Sequence, residues 1–351
     1  MTARTVHMAY GHDGLEIAVP SNATIIEPTY VPGLPDEQAA LVNAIRNPID
    51  GDSSDLDVGG DLGTARLPSL TEFDVNVGGS AGEILVRGGV SDLDVDVDGD
   101  LTELVVTRGA SDLEVDVDGN ATSIQVSGGG EDLDVWVGGI LDEFLLRGSL
   151  VDSDVEAESG ITSFTVTDVL ADSDVDTTHY DGVGDPIGAG IGTFRVNEMR
   201  NVDVETHTDI TEFVVRGAVT DSDVDTRAYD NYGGGSLVGG GGIAEFRALG
   251  LYDGDVHTFG AITEMRIGRG GVDMDTEIDT ADAATGHLVL LQTPGFIFGD
   301  IQIAGDVTDV LTGGADALPG SAPVDFLFVD NHSVPTLGTL EVDGAILGTV
   351  S

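Results

Sequence analysis

The 351-residue sequence has no cysteine, so a disulfide framework, a thiolate metal site and a thiol nucleophile are all excluded. It has no lysine either: its 13 basic residues are all arginine, and they face 64 acidic ones. A net charge of −51 argues against binding nucleic acid or an anionic membrane surface. No run of 18 apolar residues occurs, so no transmembrane helix is expected. Aromatic residues make up only 5% of the chain and tryptophan occurs once, so a core must be filled mainly by aliphatic side chains. High negative charge can signal disorder, but disorder also requires low hydrophobicity, and here 40% of residues are apolar and strictly patterned. Acid excess without lysine suits a protein working in molar salt, where screening suppresses self-repulsion.

What the sequence does have is a repeat. Between Ser91 and Gly148 it restates itself every 20 residues, as SDLDVDVDGDLTELVVTRGA, SDLEVDVDGNATSIQVSGGG and EDLDVWVGGILDEFLLRGSL. One apolar position recurs at Ile84, Leu104, Ile124, Phe144 and Phe164, and another at Val75, Val95, Val115, Val135, Val155 and Val175. A fixed period of this length is the signature of a solenoid. Leu93, Val95 and Val97 alternate with Asp94 and Asp96, and Leu104 and Val106 alternate with Glu103, Val105 and Thr107. Period-2 alternation puts aliphatic groups on one face and acids on the other. Glycine-rich or Ser/Asp corners, expected to need positive φ, separate the strands. Stacked coils would pair each strand in parallel with its equivalent, and the opposite side of the coil would supply the crossover. The long steps from Phe164 to Phe194 and from Phe213 to Phe246 place inserts at one corner, 178–190 and 227–242.

Residues 1–50 lie outside the repeat. Val6, Met8, Leu15, Ile17 and Val19 alternate around GHDG, which predicts a β-hairpin, and Ala23 to Ile26 could add a third strand. Asp36 reads as an N-cap for a helix over EQAALVNAIRN, ended by Pro48. From His287 the repeat dissolves into segments such as HLVLL and VDFLFV, which predict irregular final coils and a cap over 287–351. The fold expected is therefore mainly β: a parallel β-solenoid or β-helix of ~20-residue coils over 51–286, preceded by a small α+β segment.

Short motifs in the first 50 residues carry a resemblance. Tyr10 to Pro20 (YGHDGLEIAVP), Ile26 to Pro28, Val31 to Glu37 (VPGLPDE) and Arg46 to Ile49 (RNPI) resemble, in order, the start of nickel-dependent lactate racemases. In that family the segment is scaffold. The resemblance implies a downstream lysine carrying a nickel-pincer nucleotide, catalytic histidines and an Asp-x-Thr-Arg-Pro stretch. This chain has no lysine and no such stretch, so no catalytic residue of the family carries over. As a whole, the repeats resemble the acidic β-strand repeats of large bacterial surface proteins.

Three constellations are candidates for function. The first is the acid ladder. Asp94, Glu114, Asp134, Asp154, Asp174, Asp203, Asp223 and Asp255 should stack outward in one line, with Asp96, Asp116, Glu156, Asp176, Glu205 and Asp225 in a second. Neighbours at strand spacing repel by about 0.9 kcal/mol even in water, so screening salt or bound cations must offset the charge. Calcium or monovalent cations are the candidate species, although no complete calcium-binding nonapeptide or EF-hand loop is present. The second is the insert corner, where the inserts would emerge roughly 10 Å apart. They bring Tyr180, Tyr229 and Tyr232 beside His179, Asp181, Asp185 and Asp230, a set suited to a glycan. The third is the row Arg87, Arg108, Arg147 and Arg216. Its plainer reading is neutralisation of the acid ladder. Polysaccharide lyases on β-helices use Arg, Asp and calcium, which makes a lyase the enzymatic alternative beside a racemase relative. Trp136 takes an outward slot that other coils give to acids.

The reading is a non-catalytic structural or interaction solenoid adapted to high salt, its partners cations and a glycan or protein. The stretch MTARTVHMAYGHDG lacks the residue order of a secretory signal, so the expected address is the cytoplasm of a salt-loving cell, with the cell surface as the alternative.

Overall fold

Each repeat forms two parallel strands, the first acidic on its outer side and the second mixed, as in Val90–Val97 and Leu101–Val106. The computed structural model describes residues 54–312, apart from 181–185, 230–235, 274, 283, 295–296 and 298. It also describes the strands Arg4–Tyr10, Asp13–Val19, Ala40–Val42, Phe326–Phe328 and Leu337–Val342. The fold is a parallel β-solenoid of about 11 turns at ~20-residue spacing, 71% strand and without a helix among the described residues. It divides into two units, Met1–Glu158 and Ser159–Ser351, each built from the same kind of coil.

In the first unit the acidic strands stack in register, so that Val75, Val95, Val115, Val135 and Val155 form one inward column. The second strands stack likewise, aligning Ile84, Leu104, Ile124 and Phe144. One coil sends Val90, Leu93, Val95, Val97, Leu101, Leu104 and Val106 inward, all buried. At about 1.5–3 kcal/mol per buried aliphatic side chain, this packing outweighs outward acid columns that repel by about 0.9 kcal/mol per rung. Chain entropy consumes most of the surplus, so the repulsion still matters to the net stability.

A corner near the start of each acidic strand is made by an acidic residue. Glu72, Asp92, Asp112, Asp132 and Asp152 all have φ between 49° and 62°. Among non-glycine residues, Asp and Asn tolerate this left-handed region best. The corner exposes two consecutive residues, Ser91 and Asp92, between the buried Val90 and Leu93, so the chain bends without breaking the inward ladder. The opposite corner carries a second ladder, in which a side chain of each coil accepts the backbone N–H of the next. Asp61 holds Ser80, Ser80 holds Asp100, Asp100 holds Asn120, and Asn120 holds Ile140, at 2.8–3.2 Å.

The expected hairpin is present, pairing Val6 with Ile17 and Met8 with Leu15. Its second strand lies antiparallel on Ser54–Val58, and Ala40–Val42 runs parallel to Leu62–Leu67. This corrects the expected helix over 37–47: Ala40–Val42 is a strand. An open solenoid edge offers a row of unpaired N–H and C=O groups, and pairing with it outweighs the marginal stability of so short a helix. The remainder of that segment, and the strand expected at 23–26, lie outside the described residues.

In the second unit the same register runs through Ile161–Asp176 and Ile191–Glu205 and on through later coils. Phe164, Phe194, Phe213 and Phe246 form a continuous stack, with ring centroids 5.0, 4.6 and 4.9 Å apart and planes within 8° of parallel. Coil spacing imposes this face-to-face geometry, which free aromatic pairs do not prefer. Parallel pairing continues past His287 through Leu288–Thr293, Val307–Thr312 and Leu337–Val342, so at least part of the irregular-looking C-terminal text is regular coil.

Candidate functional site

The insert corner lies wholly in the second unit and is built on a four-residue text that recurs once per coil. The text reads DVDT at 174–177, DVET at 203–206, DVDT at 223–226, DVHT at 255–258 and EIDT at 277–280. Alternation turns Val175 and its equivalents inward and the two flanking positions outward. The threonine also points inward, and Thr177, Thr206, Thr226, Thr258 and Thr280 are all at most 4% exposed. A buried hydroxyl needs a partner. Thr226 donates to the Gly241 carbonyl at 2.7 Å, Thr258 to that of Gly260 at 3.0 Å and Thr280 to that of Gly286 at 2.6 Å. Thr226, Thr258 and Thr280 thus tie down the chain where it leaves the coil, Thr206 Oγ1 accepts the Thr208 backbone N–H at 3.2 Å, and the Thr177 hydroxyl is buried without a partner among the described residues. Sequence reasoning missed the threonine column, although the recurring final T was its visible signal.

Both inserts begin one or two residues after this text, and each is an antiparallel hairpin. His179–Tyr180 pairs with Pro186–Ile187, and Arg227–Tyr229 pairs with Leu237–Gly240. Ladder carboxylates anchor their first residues. Asp176 accepts from the backbone N–H and the hydroxyl of Thr178, and Asp225 accepts the Arg227 backbone N–H at 2.7 Å. Tyr180 meets His207 edge-on at 4.8 Å. Burial raises the Tyr180 phenol above its ordinary pKa, with the charges of Glu205 and Asp176 adding to the effect.

A polar cluster sits beside the second hairpin. Arg227 grips Asp225 with two nitrogens, Nε at 3.0 Å and Nη2 at 2.8 Å, reaches Asp279 at 3.6 Å, and lies 5.6 Å over the Tyr229 ring. His257 Nδ1 lies 2.5 Å from Asp279 Oδ1, and its Nε2 is 3.9 Å from Asp255. These side chains are only 16–21% exposed for Arg227, Asp225, His257 and Asp279. Burial pulls the His257 pKa down, but the hydrogen bond and charge of Asp279 override it, so the net shift is upward. Glu205 is raised by burial and then by the charges of Asp176 and Asp225.

The expected ladder residues stand in register as two columns in each unit. In the first unit these are Asp74, Asp94, Glu114, Asp134, Asp154 and, beside them, Asp96, Asp116, Trp136, Glu156. In the second they are Asp174, Asp203, Asp223 and Asp176, Glu205, Asp225, His257, Asp279. Burial and like-charged neighbours raise Asp94, Asp116 and Asp203 above the ordinary Asp range. Among the described residues, no three Asp, Glu or His side chains converge as metal ligands would. The columns therefore present lines of single carboxylates, and Asp225 and Asp279 are already engaged by Arg227 and His257.

Of the residues expected to bind at the inserts, His179, Tyr180 and Tyr229 stand on the hairpins, while Asp181, Asp185, Asp230 and Tyr232 lie outside the described residues. The arginine expectation is corrected. Among the described residues, Arg87, Arg108, Arg147 and Arg216 make no ion pair with the ladder. Cations pair instead with glutamates, as in Arg66–Glu83 at 3.2 Å, Arg195–Glu212 at 2.5 Å, Arg200–Glu198, Arg247–Glu245 and Arg266–Glu264. Four of these pairs lie on the second strands. Arg200–Glu198, Arg247–Glu245 and Arg266–Glu264 join positions two residues apart, which share one face, and Arg66–Glu83 and Arg195–Glu212 join neighbouring coils, whereas the acid ladder occupies a different strand of the coil. Comparison of the chain with protein-family models, with curated proteins and with solved structures finds no match.

Proposed function

We propose that this protein is a non-catalytic structural or interaction solenoid that works in high salt, its acid columns balanced by solution cations rather than by basic side chains. One observation carries the reading: the columns from Asp74 to Asp154 and from Asp174 to Asp223 repeat a carboxylate at every rung. Arginines pair elsewhere, apart from Arg227 at the insert corner. At ~4.8 Å per rung such a line attracts a diffuse cation cloud without a dedicated cage. Thermal unfolding in low salt, in low salt with millimolar calcium or magnesium, and in molar KCl tests it. Recovery of a cooperative transition only in molar KCl supports a screened surface. Recovery with millimolar calcium but not magnesium would replace that reading with specific calcium sites.

A second reading is glycan binding at the insert corner, favoured by Tyr180 standing edge-on to His207 and by Tyr229 lying under the Arg227 guanidinium, which also grips Asp225. Tyrosine faces with hydrogen-bonding carboxylates suit a sugar ring, and both hairpins project from a rigid scaffold. Deletion of residues 178–190 should abolish binding on a glycan array. Equal binding by the deletion variant would remove this reading.

A further inference from the structure

The second strands of the second unit present a face unlike the acid ladders. Thr193, Glu212, Glu245, Glu264 and Leu290 form one outward column, and Arg195, Val214, Arg247, Arg266 and Gln292 form the next. Two of the glutamates, Glu245 and Glu264, therefore lie beside Arg247 and Arg266, two residues apart along the strand, and Glu212 pairs diagonally with Arg195 of the neighbouring coil. The arginine side chains are 49–51% exposed and the glutamates 26–29% exposed. Beside the arginine column runs an open groove of about 420 Å³, lined among others by Arg216, Leu249, Ile267 and Pro294. Leu249 is 50% exposed, and Val289 at the other margin is 37% exposed.

We infer that this face is a self-complementary docking surface for a second copy of the same chain. Copies carrying a net charge of −51 can meet only where acid does not fall on acid, and here positive and negative charges balance. The symmetry follows from the two columns. A twofold axis parallel to the stacking direction, passing between them, exchanges one column for the other. It sets Glu245 of each copy opposite Arg247 of its mate, and Glu264 opposite Arg266. Both copies share one rung spacing, so the match holds from rung to rung. Such an isologous contact closes on itself as a dimer. The existing same-strand ion pairs are exposed and weakly held, so re-pairing across the contact costs little. Leu249 and the groove add apolar contact that salt does not screen.

The footprint is modest. Five strands of about six residues cover roughly 500 Å² per partner, against roughly 800 Å² for a standard stable interface. The dimer should therefore be weak and reversible, and should require enough salt to screen the remaining net charge. Sedimentation velocity of the full chain in about 0.5 M KCl, where the Debye length is roughly 4 Å, tests this over a concentration series. The expected result is a monomer–dimer equilibrium. The R247E/R266E variant should weaken dimerisation at least tenfold. The exchanged variant E245R/R247E/E264R/R266E keeps opposite charges facing and should restore it. Leu249→Arg offers an independent disruption, and a cooperative melt shows that each variant is folded. A wild-type chain that stays monomeric throughout would overturn the inference. So would a folded reversal variant that dimerises as well as wild type, or a folded exchanged variant that does not dimerise.

Discussion

Replacing Asp203 by Asn should stabilise the second unit, and the gain should depend on salt. Asp203 stands in register between Asp174 and Asp223, one rung from each. Its pKa is raised by burial first and by those two charges next, partly relieved by a hydrogen bond from the Asp223 backbone. At a rung spacing of ~4.8 Å, each neighbour repels it by about 0.9 kcal/mol in water-like dielectric, or about 1.7 kcal/mol for the two. At 1 M salt the Debye length falls to about 3 Å, which cuts that sum roughly fivefold, to about 0.3 kcal/mol. Asparagine keeps the shape and can still accept the Asp223 N–H. The variant should therefore melt about 4–6 °C above wild type in low salt but only about 1 °C above it in molar KCl. Circular dichroism melts of both proteins in both buffers measure this. An equal shift in the two salts, or a destabilised variant in low salt, would refute the electrostatic account.

Stability should rise as pH falls from about 8 to about 5. His257 has a raised pKa, so its contribution is fully present below its unfolded value and is lost as pH rises through the folded one. Asp203 and Glu205 are also raised, so they bind protons more readily when folded, and the native state gains as pH drops through their folded values toward the unfolded ones. A melting temperature that falls over this interval would contradict the assignment, and His257→Gln should flatten its upper part. Asp112, at φ 49°, should accept glycine with little loss, whereas Asp112→Val should cost about 1–2 kcal/mol in denaturant unfolding. Phe213, stacked between two other rings and fully buried, should cost about 3–5 kcal/mol on truncation to alanine and under about 1.5 kcal/mol on replacement by leucine.

The solenoid was legible because the inward positions repeat with the coil: Val95 to Val135 and Leu104 to Phe144 stand at the spacing the structure uses. The insert corner was legible for the same reason, since only an insertion can lengthen the step between stacked phenylalanines. Glycine-rich and Ser/Asp corners were both expected, and Asp92 and its equivalents take positive φ in the Ser/Asp ones, but which residue there would do so was not legible. Their regular place in the Ser-Asp-Leu text resembled one more solvated acid. The strand at Ala40–Val42 was hidden because local spacing favoured a helix, while the edge it covers is set by residues in the first coils. The Arg227–Asp225–Asp279–His257 cluster was hidden because its members belong to successive coils and meet only after stacking.

The most direct test is amide hydrogen exchange on the intact chain, in low salt and in molar KCl, read peptide by peptide. The account predicts that the acidic strands Val90–Val97, Ala110–Val117 and Gly130–Val137 are strongly protected in molar KCl. They should open many-fold faster in low salt, ahead of second strands such as Leu101–Val106. Protection of the acidic strands that is the same at both salt concentrations would contradict it, because the carboxylate columns would then exert no net strain for screening to relieve.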